Sequence, residues 1–142
     1  MEFSDLYSNR ILEIAGAARQ MPRLDAPHGT ARKVSRVCGS SITVDLALED
    51  GHVAAYGADV QACALGQTSA AIVAEHIVGS TPAELRALRE AVTAMLKADG
   101  PPPQGRWDDL KYLQPVRGFP ARHASTLLVF DAVAEALERA GV

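Results

Sequence analysis

The spacing of hydrophobic residues changes repeatedly along the chain, and each change marks an element. Leu6, Tyr7, Ile11, Leu12 and Ile14 recur at helical spacing behind Ser4, which predicts a first helix capped by Ser4 and running to about Arg19. The following QMPRLDAPHGT, with two prolines and a glycine, reads as irregular chain. From Ala31 the period becomes two: Ile42, Val44, Leu46 and Leu48 alternate with Ser41, Thr43, Asp45 and Ala47, as in a half-buried strand. A preceding strand through Lys33 to Val37 and a following one through Val53 to Val60 complete an antiparallel meander. After Cys63 the small residues of ALGQTSAAIVAEHIVG predict a closely packing helix that closes at Gly79. In STPAEL, Thr81 is placed as the cap, Pro82 at the first helical position and Glu84 at the third, opening a helix through Leu85, Leu88, Val92 and Met95. ADGPPPQGR interrupts the pattern, and the stretch to Pro120 carries Trp107, Leu110, Tyr112 and Leu113 without clear periodicity. A last helix from Arg122 to about Ala140 places Leu127, Phe130, Val133, Ala134 and Leu137 on one face. The expectation is an α+β fold: a small three-stranded antiparallel sheet with helices packed on it. No repeat or linker divides the chain, so residues 1–142 read as a single domain.

The meander turns on Asp50-Gly51, a preferred two-residue hairpin loop. That turn sets Glu49 opposite His52, Ile42 opposite Asp59 and Cys38 opposite Cys63. Directly opposed side chains have Cβ atoms about 4.5–5.5 Å apart, within reach of a shared metal ion or a disulfide. One β-bulge would shift this register by a residue and turn one thiol away.

With 142 residues, 48% hydrophobic and 22% charged, the chain is long enough to bury one proper core. Its net charge of −3 argues against a nucleic-acid partner, since such proteins carry a basic face. Arg32, Lys33 and Arg36 form a local basic cluster, read as a solvated patch. The first residues lack a basic segment followed by an apolar run, and no stretch approaches the ~18 uninterrupted apolar residues of a membrane span, so neither secretion nor membrane insertion is expected. The expected compartment is the cytoplasm. There, a pair of cysteines reads as inert, metal-binding or catalytic before it reads as a structural disulfide.

Cys63 precedes a helix, whose unpaired N–H groups favour thiolate, and Arg36 could do the same for Cys38. Both cysteines could equally be small buried hydrophobes. A closed zinc or iron-sulfur site needs about four donors, and the candidates to complete one are His123, Ser125, His28 and Asp59. At a helix N-terminus the cationic form of His123 is disfavoured, leaving a neutral imidazole able to ligate. His52 and His76 read as structural or solvent-facing. There is no phosphate-binding glycine loop, nucleophile elbow or HExxH pair, so a hydrolase or kinase has no support.

LYSNRILEIA, VCGSSITVDLALEDGHVAAYGADVQACALGQTSAAIVAEHIVG and VRGFPARHASTLLVFDAV together resemble the N-terminal NifU/IscU/SufU family of iron-sulfur cluster assembly scaffolds, over most of the chain. The segment between Cys38 and Cys63 resembles the family's C-G-D, strand pair about D-G, and G-C-x-x-x-x-A-S leading into a helix. The separation of Cys63 from the last helix is similar to the SufU-type branch. The resemblance implies an α+β fold and a scaffold rather than an enzyme. It also implies a transient Fe-S cluster or zinc held by three cysteines, helped by an aspartate and in some branches a histidine, and sulfur received from a cysteine desulfurase. The first two family cysteines fall on Cys38 and Cys63. Ser40 stands where the family has the aspartate, Ser125 where it has the third cysteine, and Ala124 where it has histidine or lysine; His123 is displaced by one position. LQPVR at Leu113 to Arg117 lies too far upstream to be the LPPVK of one branch. The implied site is therefore Cys38 and Cys63, with His123 as a further metal ligand and Cys63 as a persulfide acceptor. The alternative is a metal-free module that keeps the scaffold fold and docks on Fe-S assembly proteins through its sheet and basic patch.

Overall fold

The computed structural model describes residues 8–16, 21–36 and 39–142. Helix α1 (Asn9–Gly16) is capped by Ser8, whose Oγ accepts the Ile11 N–H at 3.3 Å. Ser4 and the run to Arg19, which the pattern assigned to this helix, lie outside the described residues. Strand β1 (Gly29–Val34) begins earlier than the alternation suggests, because Gly29 lets the sheet approach the last helix: a Cβ there would strike the carbonyl oxygen of Ala136.

β2 (Ser41–Glu49) and β3 (His52–Gln61) form the predicted hairpin, and the three strands are ordered β1-β2-β3, all antiparallel. Asp50 and Gly51 both take positive φ, 53° and 77°, the conformation of the tight loop that matches strand twist. Glu49 opposes His52 and Leu48 opposes Val53, as expected. A bulge then intervenes, since Ala47 opposes Ala55 and leaves Ala54 as the extra residue. Beyond it every pairing moves by one, so Ile42 faces Val60 and Asp59 faces Thr43, correcting the register set by the turn alone.

Ile42, Val44 and Leu46 point from the sheet into the core, against the last helix α4 (His123–Arg139), whose Val129, Ala132, Ala136 and Leu137 are buried. Asp45, on the opposite face, is also fully buried, because the segment Met21–Leu24 folds across it. Its carboxylate takes Arg23 Nε and Nη2 at 2.5 and 3.0 Å, the Leu24 N–H at 3.1 Å and the Thr30 hydroxyl at 2.7 Å. Burial pushes the Asp45 pKa up, but these donors and the Arg23 charge outweigh it and hold the group below the ordinary carboxylate value.

Helix α2 (Ala64–His76) ends at an Ile77 cap, short of Gly79. Gly79, with φ of 96°, belongs to a turn that clasps β3: its N–H bonds the Val53 carbonyl, and the Val53 N–H bonds that of Ser80. Helix α3 (Pro82–Lys97) has the predicted capping box between Thr81 and Glu84. The unassigned stretch Gly105–Gly118 is 3-10 helical, interrupted at Trp107. It buries Trp107, Leu110, Leu113 and Val116, and that three-residue spacing is the 3-10 repeat. Arg117 ties its end to α3, donating to the carbonyls of Met95 and Gly100 at 3.0 and 3.1 Å. No described helix is long and apolar enough to cross a membrane.

Candidate functional site

Cys63 leaves the end of β3 and becomes the N-cap of α2, with extended φ/ψ of −69° and 173°. Its carbonyl starts the helix by accepting the Gln67 N–H at 2.8 Å. Its side chain makes no capping bond, which leaves the half-buried sulfur available for other contacts. The Sγ lies 3.6 Å from the Oγ of Ser125, in the first turn of α4. The first turns of two helices thus meet at this sulfur.

The meeting requires the helices to approach closely. Gly66 permits it, since a Cβ at that position would lie 2.8 Å from the Ala62 Cβ and 3.3 Å from the Ser125 carbonyl oxygen. Ser125 is 2% exposed. Its Oγ is 3.4 Å from the Arg122 carbonyl oxygen, which already accepts the Thr126 hydroxyl at 2.9 Å.

The β1–β2 connection arrives at the same end of the sheet, where Ser41 pairs with Gln61. It is closed by Ser35 N–H to the Ser40 carbonyl at 2.8 Å and by Gly39 N–H to the Ser35 carbonyl at 2.9 Å. Gly39 adopts φ of 71° in this turn, and Ser40, at the position of the family aspartate, is buried. Cys38 belongs to the same connection and lies outside the described residues, as does its predicted pairing with Cys63.

His123 opens α4 and is buried, with Nε2 directed at the carbonyl oxygens of Val116 and Arg117, 2.9 and 3.3 Å away. An Nε2–H donating to a carbonyl leaves only Nδ1 with a lone pair for a metal. His28 is at the opposite end of β2, where Nδ1 accepts the Leu48 N–H at 2.8 Å. Asp59 is exposed on β3 and accepts from Gln61 at 3.3 Å. His76 packs edgewise on Trp107, with ring centroids 5.9 Å apart. Among the described residues no three His, Cys, Asp or Glu side chains gather closely enough to hold a metal ion. Gly66 and Thr126, which frame Ser125, were not singled out in the sequence; a glycine two residues after the helix-start position is the signal that was there to read.

The three-stranded sheet, its covering helices and a cysteine at the N-terminus of α2 facing the first turn of α4 define a class of small α+β domains. Comparison with known proteins places the chain within it. A crystal structure of the N-terminal part of a nitrogen-fixing NifU-like protein from Brucella abortus superposes with a TM-score of 0.94 at 47% identity, covering 97% of this chain and 96% of that one. The chain belongs to the NifU N-terminal, IscU and SufU family. The IscU iron-sulfur cluster assembly scaffold protein of Thermotoga maritima is 27% identical over 98% of this chain and 97% of its own. A candidate iron-sulfur cluster assembly scaffold for the SUF system from Fervidobacterium islandicum shares the fold, with a TM-score of 0.84 at 18% identity over 96% of this chain and 99% of that one. The names of the latter two are those of scaffolds, not enzymes. No protein-family model matches the chain.

Proposed function

We propose that this protein is an iron-sulfur cluster assembly scaffold that carries a labile Fe-S cluster, or an iron or zinc ion, as cargo on Cys38 and Cys63. The observation that supports the reading most directly is the Cys63 sulfur, half-buried where the first turns of two helices meet. Thiolate is the form that binds soft metals and attacks sulfur. The similarity to the IscU scaffold of Thermotoga maritima along nearly the whole chain supports the same assignment. Cys63 is also the proposed acceptor of sulfur from a cysteine desulfurase, as a persulfide, and other Fe-S assembly proteins are the expected partners. Nδ1 is the one nitrogen His123 could offer a metal, because Nε2 is engaged with backbone carbonyls, and this bond gives His123 a supporting role beside the two thiols.

A second reading follows from Ser125. A hydroxyl is a poor ligand for soft metals, so a chain with Ser125 in place of a sulfur fits a metal-free module that docks on the assembly machinery. Metal and sulfide content of protein purified without oxygen separates the two. Metal in the parent that is lost in Cys38→Ser and Cys63→Ser supports the cargo reading. Absence of metal, with a partner complex that survives both substitutions, supports the docking module.

A further inference from the structure

We propose that Ser125 is a positioning residue that donates its hydroxyl proton to the Cys63 sulfur and thereby sets how firmly that sulfur holds its cargo. The inference rests on the reading of Cys63 as a cargo ligand and goes beyond it by giving the third corner of the site a different task from ligation.

The alternatives open to the Ser125 proton are few. Its Oγ lies 3.4 Å from the Arg122 carbonyl oxygen, well outside the roughly 2.5–3.0 Å of a good O–H···O bond. Thr126 already donates to that oxygen at 2.9 Å. Among the described residues, the Cys63 sulfur, 3.6 Å away, is the remaining acceptor. While Cys63 is a thiol, either partner can donate. Once it is a thiolate, free or bound to metal, the sulfur has no proton to give, and the bond has one direction, from Ser125 Oγ–H to Sγ. It is then charge-assisted and stronger than the neutral contact. With Ser125 2% exposed, water has little access to compete for the hydroxyl.

The chemical effect is on the metal–sulfur bond. A hydrogen bond to a bound thiolate withdraws electron density from sulfur and stabilises its lone pairs, the kind of outer contact that tunes affinity and potential in metal-thiolate sites. Ser125 therefore supports Cys63 without adding a third strong bond, which suits a cargo that must leave.

Cobalt(II) alone is the probe, because its sulfur-to-metal charge-transfer band reports the energy of the sulfur lone pairs. The parent, Ser125→Ala, Ser125→Thr and Ser125→Cys are titrated with cobalt(II) without oxygen and checked for folding by circular dichroism. The parent shows the band. In Ser125→Ala it moves to longer wavelength, and cobalt binds about tenfold more weakly, the low end for loss of an outer hydrogen-bond partner. Ser125→Thr keeps the hydroxyl and returns the band to the parental position, whereas Ser125→Cys gains a further sulfur band. A parent band that stays in place in a folded Ser125→Ala overturns the hydrogen-bond role while leaving Cys63 a ligand. No sulfur band in the parent overturns the cargo reading and this inference with it.

Discussion

The sulfur of Cys63 and the hydroxyl of Ser125 stand 3.6 Å apart, although 62 residues separate them in the chain. That spacing is about the edge of a tetrahedral metal site with ~2.3 Å metal–sulfur bonds. On the proposed cargo reading, replacing Ser125 with cysteine adds a donor within reach of a metal on Cys63. Zinc loaded into Ser125→Cys is expected to leave to a chelator at least tenfold more slowly than from the parent, read with a colorimetric zinc indicator. Equal release rates would show that position 125 does not face the metal.

His123 separates a supporting role from a ligating one. Its Nε2 bond to the Val116 carbonyl joins the 3-10 segment to the start of α4. His123→Ala should lower stability to urea by about 1 kcal/mol, because it removes a buried hydrogen bond to the Val116 carbonyl, which keeps the Phe119 N–H as its other donor. Metal content per folded protein is expected to stay at the parental value. Loss of metal from a fully folded variant would instead place Nδ1 in the ligand shell.

Asp45 gives the fold a defined acid limb. Its pKa lies below the ordinary carboxylate value, so the folded state binds the proton less readily than the unfolded chain. The stability this contributes is present above the unfolded carboxylate value near ~3.9 and is lost as pH falls through the folded pKa. Urea midpoints measured from pH 6 down to pH 2 should fall more steeply for the parent than for Asp45→Asn. At pH 7, Asp45→Ala should cost about 3 kcal/mol. That is the low end for breaking a buried ion pair, because half-exposed Arg23 can turn to water while Thr30 and the Leu24 N–H lose their acceptor.

The contact between β1 and α4 depends on a missing side chain. A methyl group on residue 29 would collide with the Ala136 backbone, which cannot swing aside as a flexible side chain could. Gly29→Ala is expected to destabilise the protein by about 3 kcal/mol, at the upper end for overpacking. A lowered urea midpoint with an unchanged denaturant slope is the outcome to look for.

Features written in local chemistry were legible in the sequence. Thr81 and Glu84 announced the capping box, and Asp50-Gly51 the hairpin, because each depends on a few neighbouring residues. The bulge at Ala54 was not visible, since nothing in AAY marks which alanine is left unpaired, and that choice is made by packing across strands. The pairing of Ile42 with Val60 instead of Asp59 follows from it. Asp45 read as a solvent-side residue by alternation. Only the return of Arg23 across the sheet makes it a buried one. The three-residue spacing from Trp107 to Val116 is present in the letters, but it matches neither the α-helical nor the strand period, and 3-10 runs this long are uncommon. At the site, Ser125 was placed by its likeness to a cysteine position, whereas its distance from Cys63 is a property of how α2 and α4 cross.

The outer margin of β3 is occupied at two places by other parts of the chain. Met21 accepts the Ala58 N–H at 3.0 Å, and the Gly79–Ser80 turn exchanges two hydrogen bonds with Val53. A bare strand margin is a template on which another polypeptide can build. A carrier of the proposed kind, which meets partners repeatedly, would be exposed to that hazard at every encounter. By filling these positions from within, the chain reduces the backbone available for indiscriminate strand pairing and leaves recognition to side chains.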